Sequence, residues 1–372
     1  MIQTGNNSDA IQGSINASPG GTVVLPSGIY LLGSTSLHMK SGVTLQCADP
    51  VSTQLWYEGT DAALIFDSVT SAGVSNCQIR LTGSLPALGI RFSNVTADTT
   101  WNNINNLLIL SVAATTPIVG QIGVQMIGTA KHAMYWNTLQ SVHVLNMDIG
   151  IQLTDAAGFS DTGPNDNTFI GITVHHCRTG MELSRNATEN KIFGLSGSSS
   201  GLTENNVLLV IGDPAGSPAN FNMIYGLVSD QGTTGQAWLI NKGVSNTLIS
   251  GTDQSGRAAI DQGSNTVIER LGGGASSLKI PQILGGASLK HLRLKVGCTT
   301  AAASAATCTG PRLLWPTPFV DSNYTVSCSL SPLTGQPHII SVQQNPFGIT
   351  VTIASDRAVA STGIANCIAV HD

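Results

Sequence analysis

The chain is short of charge. Only 10% of its 372 residues are Asp, Glu, Lys or Arg, well under the roughly 25% usual for soluble globular proteins. The 16 basic residues are scattered, which excludes the clustered basic face of a nucleic-acid-binding protein. No run of 18 apolar residues occurs, so no stretch reads as a membrane-spanning helix. Zinc of the usual structural kind is excluded by the absence of any C-x-x-C. A nucleotide-binding glycine loop, a G-x-S-x-G elbow and an H-E-x-x-H helix are also missing. Aromatics are only 5%. What the chain does have is 41% hydrophobic residues at a net charge of −5, which excludes disorder. It has 41 glycines, with Asn, Ser and Thr supplying most of the polarity. That balance disfavours helices and points to an all-β protein working outside a cell. Met1-Ile2-Gln3-Thr4-Gly5-Asn6 has neither the basic nor the apolar segment of a secretion leader, so the expectation is a virion component or a secreted chain whose leader has been replaced.

Internal repetition is the main signal. Asn137–Leu153 reads NTLQSVHVLNMDIGIQL and Asn167–Leu183 reads NTFIGITVHHCRTGMEL, without a gap, 30 residues apart. The opening recurs at Asn190, Asn222, Asn246 and Asn265, and upstream Asn76 and Asn106 extend the series. The second half recurs at Gly89-Ile90-Arg91-Phe92, Gly123-Val124-Gln125-Met126, Gly150-Ile151-Gln152-Leu153 and Gly180-Met181-Glu182-Leu183. Apolar and polar residues alternate within each segment, which is the strand period. Short strands at steps of 19 to 32 residues, bounded by Gly and Asn at bends, predict coils of a parallel β-helix. No coil buries its own apolar face, so the coils stack at about 4.8 Å and share a core. The repeated Asn suits a left-handed bend, and its amide can bond to the Asn of the next coil. The expectation is therefore that Asn137 and Asn167 stack.

At the N-terminus, Asp9–Asn16 reads as a short amphipathic helix. Gly20-Gly21-Thr22-Val23-Val24-Leu25-Pro26-Ser27-Gly28-Ile29-Tyr30 and Leu37-His38-Met39-Lys40-Ser41-Gly42-Val43-Thr44-Leu45 follow it. This order resembles the opening of the pectate-lyase-like right-handed parallel β-helix superfamily. The resemblance implies a cap at 1–19, in which the helix plugs the open end of the first coil, and a right-handed β-helix over 20–270. It leaves the activity open, because the superfamily includes pectate lyases, polygalacturonases, epimerases, phage tailspike depolymerases and non-catalytic surface proteins. Residues 271–296 read as a linker or neck. From 297 to 372 the pattern becomes one of antiparallel strands with turns, a small β-sandwich. Its run Trp315-Pro316-Thr317-Pro318-Phe319 to Cys328 resembles C-terminal modules of phage tail fibres and tailspikes, which implies a homotrimer; the other reading is a carbohydrate-binding module. Of the seven cysteines, Cys298 with Cys308 and Cys328 with Cys367 are the expected pairs, and Cys177 is read as a small buried residue.

Candidate chemistry lies where the repeat stacks polar side chains. Arg91, Gln125, Gln152 and Glu182 occupy one outward position in successive coils. The gapless alignment makes Asp148 and Arg178 neighbours, and likewise Asp155 and Arg185. Carboxylates, guanidinium groups and amides on one face suit sugar hydroxyls or uronates; the plainer reading is cross-coil salt bridges. Glu182 is the expected catalytic acid, with Asp155 or Asp148 as partner, and Arg91, Gln125, Gln152, Arg178, Arg185 and His176 as substrate contacts. No resident cofactor is expected, although Asp155, Asp161 and Asp166 flank a longer excursion that is a candidate Ca²⁺ site. Trp101, Trp136 and Trp238 are candidate sugar platforms or buried core. His143, His175 and His176 are candidate acid–base groups, with His176 expected at a bend. The expected function is a polysaccharide-degrading β-helix protein, hydrolase or lyase, acting on an extracellular or bacterial-surface glycan; the alternative is a non-catalytic glycan-binding or fibre protein.

Overall fold

The computed structural model describes residues 2–112, 116–129, 131–156, 163–198, 207–213, 219–230, 239–242, 247–253, 259–261, 267–270, 289–297, 307–309, 313–314, 324–334, 337–345, 348–355 and 362–371. Asp161, Trp238, Asn246, Asn265, Cys298, Trp315 and the stretch 271–288 lie outside them. The chain divides into two compact units, residues 1–262 with 271–278, and residues 263–270 with 279–372.

The first unit is a parallel β-helix. One long parallel sheet orders the strands Gly28–Gly33, Thr53–Tyr57, Gln78–Leu81, Asn103–Ser111, Thr138–Leu145, Thr168–His175, Lys191–Ser198, Met223–Asp230 and Leu248–Asp253. A nine-stranded parallel sheet interleaves with it in the chain, running from Leu37–His38 through Ala62–Asp67, Leu88–Ser93, Ile122–Gly128, Ile149–Asp155, Thr179–Leu183 and Val207–Ile211 to Leu239–Asn241 and Ala259–Asp261. A short third strip pairs Met134–Tyr135 with Pro164–Asn165. The alternation read from the sequence sets the inward rows. Ile104, Leu139, Phe169, Ile192 and Ile224 line one wall of the core, and Ile90, Val124, Ile151, Met181 and Leu209 line another, all at 0% exposure.

Asparagine forms the predicted internal ladder. Asn137 Nδ2 donates to Asn167 Oδ1 at 2.9 Å, Asn167 to Asn190 at 3.1 Å, and Asn190 to Asn222 at 3.1 Å. Each amide also donates to a backbone carbonyl, Asn167 to Met134 and Asn222 to Ala187. Upstream the ladder continues through Asn102, which donates to Asn137 at 2.9 Å. This corrects the expected series: Asn76 and Asn106 pair with each other on an exposed outer bend at 2.8 Å, both at positive φ. A coil of different length moved the true ladder member four residues ahead of Asn106. The repeated glycines differ from expectation too. Gly89 and Gly123 lie inside strands rather than at bends, and a Cβ on either would meet the next coil's backbone carbonyl oxygen at 2.5 Å. They are there because the coils approach too closely for a side chain.

The helix spans Ser8–Ala17 and buries Ile11 and Ile15, one turn apart. Its Gln12 closes the free edge of the nine-stranded sheet: the side-chain amide donates to His38 O at 2.9 Å and accepts from His38 N at 2.7 Å. A free sheet edge is an aggregation hazard, and a side chain that mimics the missing strand removes it. Cys47 and Cys77, unpaired in the sequence reading, form a disulfide across 30 residues of chain. Cys177 is a buried free thiol, its pKa pushed up to about 12 by burial, so it stays protonated and inert.

In the second unit, antiparallel pairs Leu289–Gly297 with Thr362–His371 and Tyr324–Thr334 with Thr362–His371 form one sheet. Gly348–Ser355 pairs with Pro337–Asn345, Thr307–Thr309 and Leu313–Leu314 in another. Ile349, Val351 and Ile353 of one sheet pack with Ala365 and Cys367 of the other, giving a small sandwich. Cys328 and Cys367 are disulfide-bonded as expected.

Candidate functional site

The outward row of the nine-stranded sheet has the predicted register. Arg91 stands opposite Gln125, Gln125 opposite Gln152, and Gln152 opposite Glu182. The row is bounded by Ile65 on one side and Val210 on the other. Its groups are largely engaged with one another: Gln125 Nε2 donates to Gln152 Oε1 at 2.8 Å, and Arg91 pairs with Asp61. Arg178 pairs with Asp148, which also accepts from Gly120 N at 2.7 Å, so this neighbour pair is a cross-coil clamp. Asp148 lies four residues before Gln152, more than about 10 Å along the strand from the level of Glu182. That exceeds the two-carboxylate separations of glycosidases, about 5 to 9.5 Å.

Asp155 is 6% exposed and accepts from Asn186 Nδ2 at 2.5 Å. Burial raises its pKa above the ordinary aspartate value, against the hydrogen bond from Asn186 and the charge of Arg185. The expected partner Arg185 turns instead to Asp213 at 2.9 Å. Asp213 holds it firmly protonated, with Asp155 and Glu182 adding to the negative field. His176 sits at a left-handed bend, φ 52°, as its alignment with Asn146, φ 60°, predicts. Asp166 and Asp155 have separate partners, and among the described residues no three His, Cys, Asp or Glu groups come together to hold a metal ion.

A second row was missed by the sequence reading except for its two tryptophans. The residue before each ladder asparagine takes a left-handed conformation: Trp101 at φ 58°, Trp136 at 60°, Asp166 at 52°, Glu189 at 57° and Phe221 at 57°. The buried ladder turns each of these side chains outward, and coil stacking aligns them as a ridge. Trp101 is 59% exposed, Trp136 43% and Phe221 54%. The indoles are in contact, tilted 41° to each other with centroids 4.7 Å apart, and Tyr135 meets Trp136 edge-on at 4.2 Å. Trp136 Nε1 donates to Asp166 Oδ2 at 2.9 Å, and Lys191 forms an ion pair with the other Asp166 oxygen. Lys191, ahead of Trp136, holds the Asp166 carboxyl below its usual range. Glu189 is exposed on the next coil, where backbone bridges Asn165 to Thr188. Beside the ridge, Phe193 stacks on Tyr225 with centroids 5.8 Å apart and planes 9° from parallel. Exposed Ile170 and Met223 border them. The result is two aromatic platforms with a carboxylate–ammonium centre between them.

The residue choice on this ridge is informative. A left-handed backbone suits Gly, Asn and Asp, and a bulky residue there costs of order 1–3 kcal/mol. Trp101, Trp136 and Phe221 bear that strain while exposing apolar surface, so the fold gains little from them.

No protein-family model matches the chain and no curated protein matches it. Among solved structures, the chain is similar to ORF18 of Geobacillus virus E2, with TM-score 0.53 and 10% identity over 98% of this chain and 73% of that one. It also matches, more loosely, the catalytic domain of a GH87 α-1,3-glucanase in complex with nigerose (TM-score 0.43, 12% identity, 73% of this chain and 55% of that). A third match is the tailspike of Escherichia coli bacteriophage HK620 in complex with a pentasaccharide (TM-score 0.36, 11% identity, 99% and 90%). Stacked parallel coils, the capped first coil and the asparagine ladder make this chain a parallel β-helix protein with a C-terminal antiparallel β-sandwich.

Proposed function

We propose that the protein acts on a polysaccharide, seating an extended glycan on the ridge from Trp101 to Phe221. The observation that carries this reading is the pair of exposed, touching tryptophans held at left-handed positions that would be occupied at lower cost by Asn or Gly. Aromatic faces pack against the C–H faces of sugar rings, while a few placed polar groups fix orientation, the usual composition of a ligand site. Asp166 and Glu189 are carboxylates at equivalent positions of adjacent coils, about 4.8 Å apart at the backbone. That is close to the separation of about 5–5.5 Å used in retaining glycoside hydrolysis. Asp166, kept ionised by Lys191, takes the nucleophile's role and Glu189 the proton donor's.

A second reading places cleavage at Glu182 and Asp155 beside Arg185. It is favoured by the burial of Asp155, which raises its pKa above the ordinary aspartate value, the direction in which general acids are tuned. Incubation with a panel of capsular and plant polysaccharides, scored by new reducing ends, tests the function. On a substrate that is cut, Glu189→Gln is expected to lose at least 100-fold and Glu182→Gln less than tenfold. The reverse result moves the chemistry to the Glu182 row. Binding without cleavage by any variant makes the protein a glycan-binding fibre. We further propose a virion or secreted location and a homotrimer; light scattering of the whole chain tests the latter, and a monomer overturns it.

A further inference from the structure

The reading of the ridge as a glycan seat leaves open what kind of glycan, and the charges along it bear on that. Three outward columns make up the face: the left-handed row Ser71, Trp101, Trp136, Asp166, Glu189 and Phe221; Asn103, Thr138, Thr168, Lys191 and Met223; and Asn105, Gln140, Ile170, Phe193 and Tyr225, the last two columns fixed by strand register. Only Asp166, Glu189 and Lys191 are charged. Lys191 is already bound to Asp166, so the described residues of these columns carry a net negative charge and no second side-chain cation. A uronan places a carboxylate on every charged ring and would meet Asp166 and Glu189 with no further side-chain cation in these three columns to neutralise it. Like charges a few ångströms apart on a partly desolvated face repel strongly. What the face does offer is neutral: hydroxyl and amide groups from Thr138, Thr168, Asn103, Asn105 and Gln140, which suit sugar hydroxyls, and a pair of touching aromatic rings at each end.

We infer that the ridge takes an uncharged polysaccharide lying along the stacking axis, with about one pyranose per coil, and resting on Trp101–Trp136 at one end and Phe193–Tyr225 with Phe221 at the other. The coil repeat of about 4.8 Å is close to the advance of an extended pyranose chain per ring, so equivalent positions on successive coils meet equivalent positions on successive sugars. This inference rests on the proposed function and narrows its substrate class.

The test is affinity electrophoresis of the full chain in gels containing dextran, galactomannan, laminarin, polygalacturonate, alginate or chitosan, at low and high salt. The variants are Trp101→Asn with Trp136→Asn, and separately Phe193→Ser with Tyr225→Ser. Asparagine is chosen because it tolerates the left-handed backbone. Retention by one or more of the neutral glycans, insensitive to salt and weakened at least tenfold in both double variants, is the expected result. Tryptophan-dependent retention by polygalacturonate, alginate or chitosan, fading at high salt, overturns the inference and leaves the glycan-seating reading standing. Retention by none of the six overturns both. Sedimentation of the same variants covers the other occupant of such a face: a shift to a smaller species on losing Trp101 and Trp136 assigns the ridge to contact between copies of the chain and overturns the inference.

Discussion

Trp136 is bound by opposing terms of similar size. Replacing it with Asn relieves left-handed strain of order 1–3 kcal/mol and loses a ring contact worth about 0.5–1.5 kcal/mol together with the exposed hydrogen bond to Asp166, worth about 0.5–1.5 kcal/mol. Trp136→Asn is therefore expected to leave unfolding free energy within about 1 kcal/mol of wild type, or to raise it, while glycan retention falls at least tenfold. A large loss of stability in chemical denaturation would show that the indole is structural. Asp166 and Asp155, shifted in opposite directions, should respond to pH with opposite signs. Asp166 is held below the ordinary 3.8 by Lys191 and Trp136, so its contribution is present above that pH and is lost on acidification through its folded pKa. The stability difference between wild type and Asp166→Asn should shrink as pH falls below about 4. Asp155 is raised by burial, so folding favours its protonated form and its contribution fades as pH rises from 3.8. Asp155→Asn keeps an oxygen for Asn186 and removes the buried charge. It is expected to raise Tm at pH 7 and to have less effect in acid.

At the level of the coil, the asparagine ladder and the glycine column are the two places where a single atom matters. Asn167→Ala would strand Asn137 N, whose acceptor is Asn167 Oδ1, and take the side-chain donor from the Met134 carbonyl, while Asn137 Nδ2 keeps Thr99 O and Asn190 Oδ1 keeps the backbone N of residue 167. Each unsatisfied buried group costs about 1–3 kcal/mol, so a loss of at least about 1–3 kcal/mol is expected in urea unfolding, with a smaller loss at the exposed Asn106 pair. Gly123→Ala forces a methyl group against Gly150 O and Val144. Overpacking of this sort typically costs about 1–3 kcal/mol, and more here if the coil spacing cannot relax. The repeat showed that Asn and Gly recur but not which recurrence is which. Asn106 keeps the 30-residue step from Asn76 and yet belongs to an outer bend, because the coil from Asn102 to Asn137 is longer than its neighbours.

Across the whole β-helix unit, the Cys47–Cys77 disulfide joins residues 30 apart. In the chain-entropy account a loop of this length contributes about 3–4 kcal/mol. Cys47→Ala with Cys77→Ala is expected to lower Tm without changing the far-ultraviolet β signal, while Cys177→Ala, a buried unpaired thiol, should cost less. The pairing was illegible in the sequence because a disulfide between adjacent coils depends on which step of the repeat brings two positions into register. Cys328 and Cys367 were legible because antiparallel strands of one small sheet leave few other partners.

Alternation and the 30-residue repeat determined by themselves that this chain stacks parallel coils, and the cap was implied by the resemblance of its opening residues. These signals are local: strand period and bend residues act within one coil, and every coil has the same unburied face. The outward row from Arg91 to Glu182 was legible for the same reason, since a gapless repeat converts sequence spacing into register. What only the tertiary structure decided is which stacked row is left exposed and uncommitted. Arg178 and Asp148 satisfy each other, and Arg185 turns to Asp213 rather than Asp155. Trp101, Trp136, Asp166, Glu189 and Phe221, separated by uneven steps of 35, 30, 23 and 32 residues, come into line only because the asparagine ladder bonds coil to coil. Side-chain rows of a β-helix are made by hydrogen bonds between coils of unequal length, and those bonds exist only once the chain has wound.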